Sequence, residues 1–298
     1  MSSFFDNIEF AGIAFSFVDF KVPCLFEQWK WKLDSYVKEK GALRRNAAVI
    51  VRSLDVFETI TMDSFSLLQD ESSGFFQRQV YQDESGEKVW QCIRRQGRQI
   101  YLQYIVSQDW SEITLAVDAT QTAGQVAFEY LGQIMPGVLL KHYVLSFHGV
   151  LMEFNGQGII ISAASGTGKT THARLWRDCK NALIINGDRA TCKKVDGVWT
   201  GYGLPWSGTS GEQINRSVPM KALVVLERAE ENSAEVIYGL EAFGALFPHV
   251  LYPSWDVELT GKAMELVDDF MKDIPVIRLK CRPDVESVEV LNRVLEEI

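Results

Sequence analysis

The chain has 298 residues, 47% of them hydrophobic and 23% charged, with a formal net charge of −9. That length can bury one large core or two modest ones, and the composition is that of an ordinary soluble globular protein. The acidic balance argues against a general nucleic-acid binder, since a phosphate backbone needs a basic face, and no apolar run reaches the roughly 18 residues of a membrane helix.

The opening Met1-Ser2-Ser3-Phe4-Phe5-Asp6 has neither the basic start nor the apolar stretch of a signal peptide, so a cytoplasmic protein is expected. Cys24, Cys92, Cys179, Cys192 and Cys281 are scattered, odd in number and never in C-x-x-C spacing. Reduced thiols are expected rather than a disulfide framework or a zinc site.

The first part reads as β-rich. Ile13, Phe15 and Phe17 alternate with smaller or polar neighbours, which predicts a half-buried strand, and Ala47 to Val51 is a short run of the same type. Between them Leu25 to Lys38 reads as a helix, with Trp29 and Trp31 expected in core or interdomain packing. Strands are predicted at Phe75 to Tyr81, Lys88 to Ile93, Gln99 to Ile105 and Glu112 to Val117. Turns at Asp83-Glu84-Ser85-Gly86 and Arg95-Gln96-Gly97 make them an antiparallel meander. The texture changes from Thr120, where Val126, Tyr130, Leu131 and Ile134 predict a helix ending near Pro136-Gly137. A boundary near 119 would separate a β-rich region, 1–119, from a second domain, 120–298. In that second part, strands are expected at Val144 to Phe154 and Gly158 to Ser162, joined by an Asn155-Gly156 turn. Further strands are expected at Ala182 to Ile185, Trp199 to Tyr202 and Ala222 to Leu226. Helices are expected at Glu241 to Phe247, Thr260 to Met271 and Val285 to Glu297.

The most informative stretch is Ser162-Ala163-Ala164-Ser165-Gly166-Thr167-Gly168-Lys169-Thr170-Thr171, between the apolar Gly158 to Ile161 and a helix-like segment. Strand, glycine loop, Lys-Thr and helix is the order that cradles a nucleoside triphosphate, because glycines let backbone N–H groups converge on phosphate oxygens at the positive end of a helix. Ser165, Gly166, Thr167, Gly168, Lys169, Thr170 and Thr171 are the expected ATP-binding residues. Lys169 would neutralise the β- and γ-phosphates, and the Thr170 hydroxyl would ligate Mg²⁺. Ala163 stands where the first glycine of G-x-x-x-x-G-K-[ST] belongs, and serves if its φ stays negative. An accidental Gly/Ser turn is the plain alternative.

Asp188 follows an apolar strand. It could hold Mg²⁺ or take a proton from an attacking hydroxyl, or it could be an ordinary turn aspartate. His148 could bind phosphate or tune the base, or be a partly buried structural histidine. Arg189 and Arg216 could brace phosphate oxygens or be solvated charges, while Lys193-Lys194 reads as a hairpin's wet face. Trp206 could lie near the acceptor or adenine, or pack beside a proline turn. Ser207 to Gly211 could be a mobile loop closing over the site, or a linker.

His148 to Ile161, followed by Ser165-Gly166-Thr167-Gly168-Lys169-Thr170, resembles the catalytic domain of HPr kinase/phosphorylase. Ser165 to Thr171 also resembles the phosphate loop of phosphoenolpyruvate carboxykinases, which share that fold. Gly203 to Gly208 and Val218 to Ala222 are similar to small HPr kinase-related proteins. The resemblance spans roughly 140 to 230. It implies an α/β (α+β) P-loop catalytic domain of the phosphoenolpyruvate carboxykinase/HPr kinase type behind a β-rich N-terminal region, with Lys169, Asp188 and His148 catalytic and Mg²⁺ on Thr170 and Asp188. Three departures qualify it. Gly187 replaces the first acid of the family's acidic pair, Thr171 stands where glutamate is usual, and the family's C-terminal signature is absent. The implied activity is an ATP-dependent kinase acting on a hydroxyl of a peptide, protein or small metabolite, the N-terminal region recognising that acceptor. The alternatives are an inactive nucleotide-binding module, an ATPase driving a conformational cycle, and carboxykinase-like activity.

Overall fold

The computed structural model describes residues 8–20, 29–38, 47–54, 57–61, 63–73, 76–95, 100–117 and 124–298. The readings on Met1–Asp6, on 25–28 of the early helix, on the Gln96-Gly97 turn and on the boundary near 119 lie outside the described residues. The chain divides into two compact units, Met1–Lys141 and His142–Ile298. Both are built on large sheets with helices, a mixed α/β architecture. Among the described residues no helix is long and apolar enough to cross a membrane.

The first unit holds β1 (Ile8–Phe10), β2 (Ile13–Phe20), β3 (Val49–Leu54), β4 (Phe65–Ser73), β5 (Phe76–Asp83), β6 (Lys88–Arg95), β7 (Ile100–Ser107) and β8 (Glu112–Val117). They form one sheet in the order β1-β2-β3-β8-β7-β6-β5-β4. β4 to β8 are the antiparallel meander, while β3 runs parallel to both β2 and β8. β4 adds a strand the sequence pattern does not announce. It is an edge strand, rich in Ser, Gln, Asp and Glu and mostly exposed, so no buried face imposes an apolar alternation.

Helix α1 (Gly124–Lys141) belongs to this unit and runs through Pro136 instead of ending there. Proline removes one helix hydrogen bond, but packing outweighs that loss: Val138, Leu139 and Leu140 are buried beyond it. Gly137 lies so close to Trp110 that a Cβ there would sit 2.1 Å from the indole. Upstream, residues 29–33 are helical and Asp34–Tyr36 form a 3₁₀ turn. Trp29 is fully buried, its indole N–H donating to the Gly124 carbonyl at 2.8 Å. Trp31 is 70% exposed, so the expected packing role holds for one tryptophan of the pair.

The second unit contains β9 (Val144–Phe154), β10 (Gln157–Ser162), β11 (Leu183–Asn186), β12 (Arg189–Val195), β13 (Val198–Tyr202), β14 (Ser217–Arg228), β15 (Ser233–Ile237) and β16 (Val276–Cys281). Its helices are α2 (Lys169–Lys180), α3 (Gly239–Leu246), α4 (Val257–Asp273) and α5 (Val285–Glu297). β9 and β14 are long enough to serve two sheets. One half of β9 pairs with β12 and the other with β10, and β14 likewise pairs with β13 and then β10. The pairings β9–β12–β13–β14–β10–β9 therefore close into a ring. β14 continues parallel to β16, with β15 on the outer edge.

Buried on both faces, β9 reads as a near-continuous apolar run. Val150 and Met152 join Trp176 of α2 and Leu291 of α5 in one core, while Phe147 packs on Phe270 of α4 with ring centroids 5.7 Å apart. The β9–β10 turn uses Asn155 and Gly156, both with positive φ (51° and 76°), as the sequence suggests.

Candidate phosphate-binding site

β10 runs parallel to β14, and β14 to β16, so the glycine loop leaves the carboxyl end of β10. That edge is where open α/β sheets receive ligands. Gly166 and Gly168 take positive φ (74° and 120°), and no atom lies within 4 Å of a Cβ built on either. Ala163 is fully buried and is not among the positive-φ residues, so alanine fits the first position of the loop.

The helix after the loop differs at its start from the two longer helices of the unit, and shares with α3 the lack of a side-chain cap. Asp256 caps α4 through the Leu259 N–H and Asp284 caps α5 through the Ser287 N–H, whereas Gly168 gives α2 no side-chain cap. Its first amide donors are thus not taken by a cap and suit an anion. The Lys169 ammonium folds back on the loop, donating to the Ala163 carbonyl at 2.9 Å and the Ala164 carbonyl at 3.3 Å. Burial lowers its pKa, and the Asp188 carboxylate opposes that shift. Lys169 and Asp188 thus share one electrostatic site. Thr170 is partly buried and Thr171 exposed.

Asp188 sits in the bend between β11 and β12. Its position is set by Asn186, a buried residue whose side chain satisfies four backbone groups. The Asn186 Oδ1 accepts from the Asp188 N–H at 3.0 Å and the Arg189 N–H at 2.8 Å. Its Nδ2 donates to the Leu204 and Trp206 carbonyls, each at 3.0 Å. The His148 Nδ1 lies 3.5 Å from the Asp188 carboxylate, and Arg189 lies 3.7 Å from its other oxygen. Burial and the nearby Lys169 hold the His148 pKa below its ordinary value, against the pull of Asp188. A neutral imidazole at pH 7 follows.

The structure brings Lys169, Asp188, His148 and Arg189 together and leaves Arg216 elsewhere. Arg216 pairs with Glu153, its Nη2 donating to Oε1 at 2.7 Å, near the start of β10 and away from the loop. Trp206 is fully buried. Lys194 lies on the β12–β13 hairpin, 2.8 Å from Asp273.

The Ser207–Gly211 segment is a short turn packed on the site. A Cβ at Gly187 would lie 2.1 Å from the Ser210 hydroxyl, and one at Gly208 would lie 2.7 Å from the Asp188 carboxyl carbon. The place where an acid at 187 would begin is filled by Ser210. Glu212 then ties this segment to α2, accepting from Arg177 at 3.0 Å and from Arg174 at 3.4 Å.

Sequence reasoning missed two neighbours of the loop. Phe147 bridges Val250 in antiparallel fashion and the Leu251 N–H donates to the Ser146 carbonyl at 2.8 Å. His249 therefore lies opposite His148 on the same face, and burial with Lys169 and His148 nearby lowers its pKa. Arg228, at the end of β14, donates to the Thr167 carbonyl at 3.0 Å and to the Gly166 carbonyl. Neither residue lies in a local motif; cross-strand register alone brings them here.

Among the described residues no group of three His, Cys, Asp or Glu side chains could hold a metal by itself. Mg²⁺ fits the site on other terms, because it needs only one or two protein oxygens when phosphates and waters complete its shell. Asp188 and the Thr170 hydroxyl are donors of that kind.

No protein-family model matches the chain, nor does any curated protein sequence. Among solved structures it is similar to the Hpr(Ser) kinase/phosphatase from Coxiella burnetii, with 11% identity over 51% of this chain and 92% of that chain. The TM-score is 0.31. A likeness that distant concerns the fold at most and carries no argument about activity.

Proposed function

We propose that the second unit is a P-loop domain of the phosphoenolpyruvate carboxykinase/HPr kinase type, and that the protein is an ATP-dependent phosphotransferase acting on a hydroxyl acceptor. The observation that carries this reading is the placement of the Lys169 ammonium on its own loop carbonyls, within electrostatic reach of Asp188. In this reading backbone N–H groups from Ser165 to Thr170 and the uncapped start of α2 receive the phosphates. Lys169 leaves the Ala163 and Ala164 carbonyls to neutralise phosphate charge. Thr170 and Asp188 would hold Mg²⁺, which would supply charge neutralisation at the transferred phosphoryl group.

Asp188 accepts the hydroxyl proton, and neutral His148 beside it orients the acceptor or the carboxylate. Arg189 is placed to brace phosphate oxygens. Positioning and charge supply most of the rate in such transfers, so one carboxylate serves as both metal donor and proton acceptor. The β-rich first unit recognises the acceptor, a peptide, protein or small metabolite, and the expected setting is the cytoplasm.

A second reading is a nucleotide-gated binding module, favoured by Ser210 filling the space beside Gly187. Calorimetric titration with MgATP tests the shared part of both. Wild-type protein should bind stoichiometrically and Lys169→Ala should lose most of that affinity; absence of wild-type binding would overturn the reading.

A further inference from the structure

We propose that Arg228 is the positioning residue of the phosphate loop, fixing from a neighbouring strand the conformation in which the loop receives a nucleoside triphosphate. This rests on the reading of the loop as a nucleotide site. The middle of the loop is poorly supported by its own contacts: Ala164, Ser165 and Gly166 are exposed, and Gly166 and Gly168 have no side chain with which to pack. Its internal bonds are the Thr167 N–H to the Ala164 carbonyl at 3.2 Å and the Lys169 ammonium on Ala163 and Ala164. Glycine in such a segment carries a high conformational entropy, so a loop tied only this way samples many states.

Arg228 supplies a tie of a different kind. β14 lies parallel to β10, and its last residue reaches over the loop that leaves β10. The guanidinium donates from Nε to the Thr167 carbonyl at 3.0 Å and from Nη2 to the Gly166 carbonyl. A planar fork gripping two successive carbonyls fixes two successive peptide planes. In a trans peptide the N–H points opposite to the C=O. The Thr167 carbonyl shares its peptide with the Gly168 N–H, so gripping that carbonyl turns the Gly168 amide to the side opposite Arg228. Gly168 is the residue before Lys169 at the head of α2, where a phosphate meets the loop in the proposed reading. The cation itself stays on the outer side of the loop, bonded to carbonyls.

Arg228 thus acts through the loop. Its removal should weaken triphosphate binding by loosening donors that remain present, and lysine, a point charge without the fork, should restore only part of the effect.

The test pairs hydrogen exchange with binding, on the full chain. In nucleotide-free Arg228→Ala, amides of residues 164–171 should exchange faster than in wild type, with other protected amides unchanged. The Kd for MgATP should rise roughly three- to thirtyfold, as expected for losing two solvent-exposed bonds to a charged group. Arg228→Lys should fall between the two. Unchanged loop exchange, together with MgATP affinity equal to that of wild type, overturns the role of Arg228 while leaving the nucleotide site standing. Faster loop exchange in a protein whose wild type binds no MgATP overturns the nucleotide reading and the inference resting on it, and leaves only a structural tie.

Discussion

Acid should destabilise this protein through His172, which joins the start of α2 to α5. Its Nε2 accepts from the Trp176 indole N–H at 3.2 Å, and its Nδ1 lies 3.3 Å from the Ser287 hydroxyl. That hydroxyl already donates to the Asp284 carbonyl at 2.6 Å, so the imidazole carries its proton on Nδ1 and gives it to Ser287. A second proton would have to sit on Nε2, facing an indole donor in a site only 2% exposed. Burial accordingly lowers the His172 pKa from 6.5 to about 4, against a weaker pull upward from Asp284. Because the folded value is the lower one, the unfolded chain takes up the proton first as pH falls. The stability is complete above pH 6.5 and is lost progressively down to pH 4. With about 1.4 kcal/mol per pKa unit, the loss at pH 4.5 is about 2.5 kcal/mol.

Urea unfolding of wild type and His172→Gln at pH 7.5 and pH 4.5 measures this directly. His142, His148 and His249 also have lowered pKa values, but their contribution is common to both proteins and cancels in the difference. Wild type should lose its advantage over the variant by about 2.5 kcal/mol between the two pH values. An equal difference at both would refute the argument that His172 is held neutral by its surroundings.

If the protein is the proposed phosphotransferase, Asp188→Asn should lower turnover about a hundredfold while changing MgATP affinity less than about fivefold, because in that reading it removes the proton acceptor and only one metal donor; equal losses in steady-state rate and in calorimetric affinity would make it a metal donor alone. Gly187→Ala should cost about 1–3 kcal/mol through its clash with Ser210, and adding Ser210→Gly should recover part of it in denaturant titrations. Asn186→Ala should destabilise by about 2–4 kcal/mol, since two buried carbonyls and two partly buried N–H groups lose their partner. If its unfolding midpoint matched wild type, the account of how Asp188 is positioned would be wrong.

The parts of this architecture readable from sequence are those whose signal is local. The Val285–Glu297 helix is expected from the sequence with the bounds the structure gives, and the β9–β10 hairpin from its Asn-Gly turn. The glycine loop is legible because strand, loop and helix are consecutive. What stays hidden depends on partners distant in the chain. Pro136 looks like a helix end until Trp110 and the buried residues beyond it are in place. β15 and β16 give weak patterns of their own and are specified by pairing with each other and with β14. The same holds within the site. Asp188 can be named from its place after an apolar strand, but Asn186 looks like an ordinary turn residue until its four bonds are seen. His249 and Arg228 enter only through register, from segments without a motif. Gly187 shows the converse: read alone it is a missing acid, and in the fold it is the space that Ser210 fills.

The proposed function is transfer of a phosphoryl group from this site. The direct measurement is transfer of label from γ-labelled MgATP to a pool of cytoplasmic peptides and metabolites, with Lys169→Ala as control. Wild type should label an acceptor and the variant should label none. Tight MgATP binding with no labelled acceptor and no ADP release would contradict it, and would make the protein a nucleotide-gated binder instead.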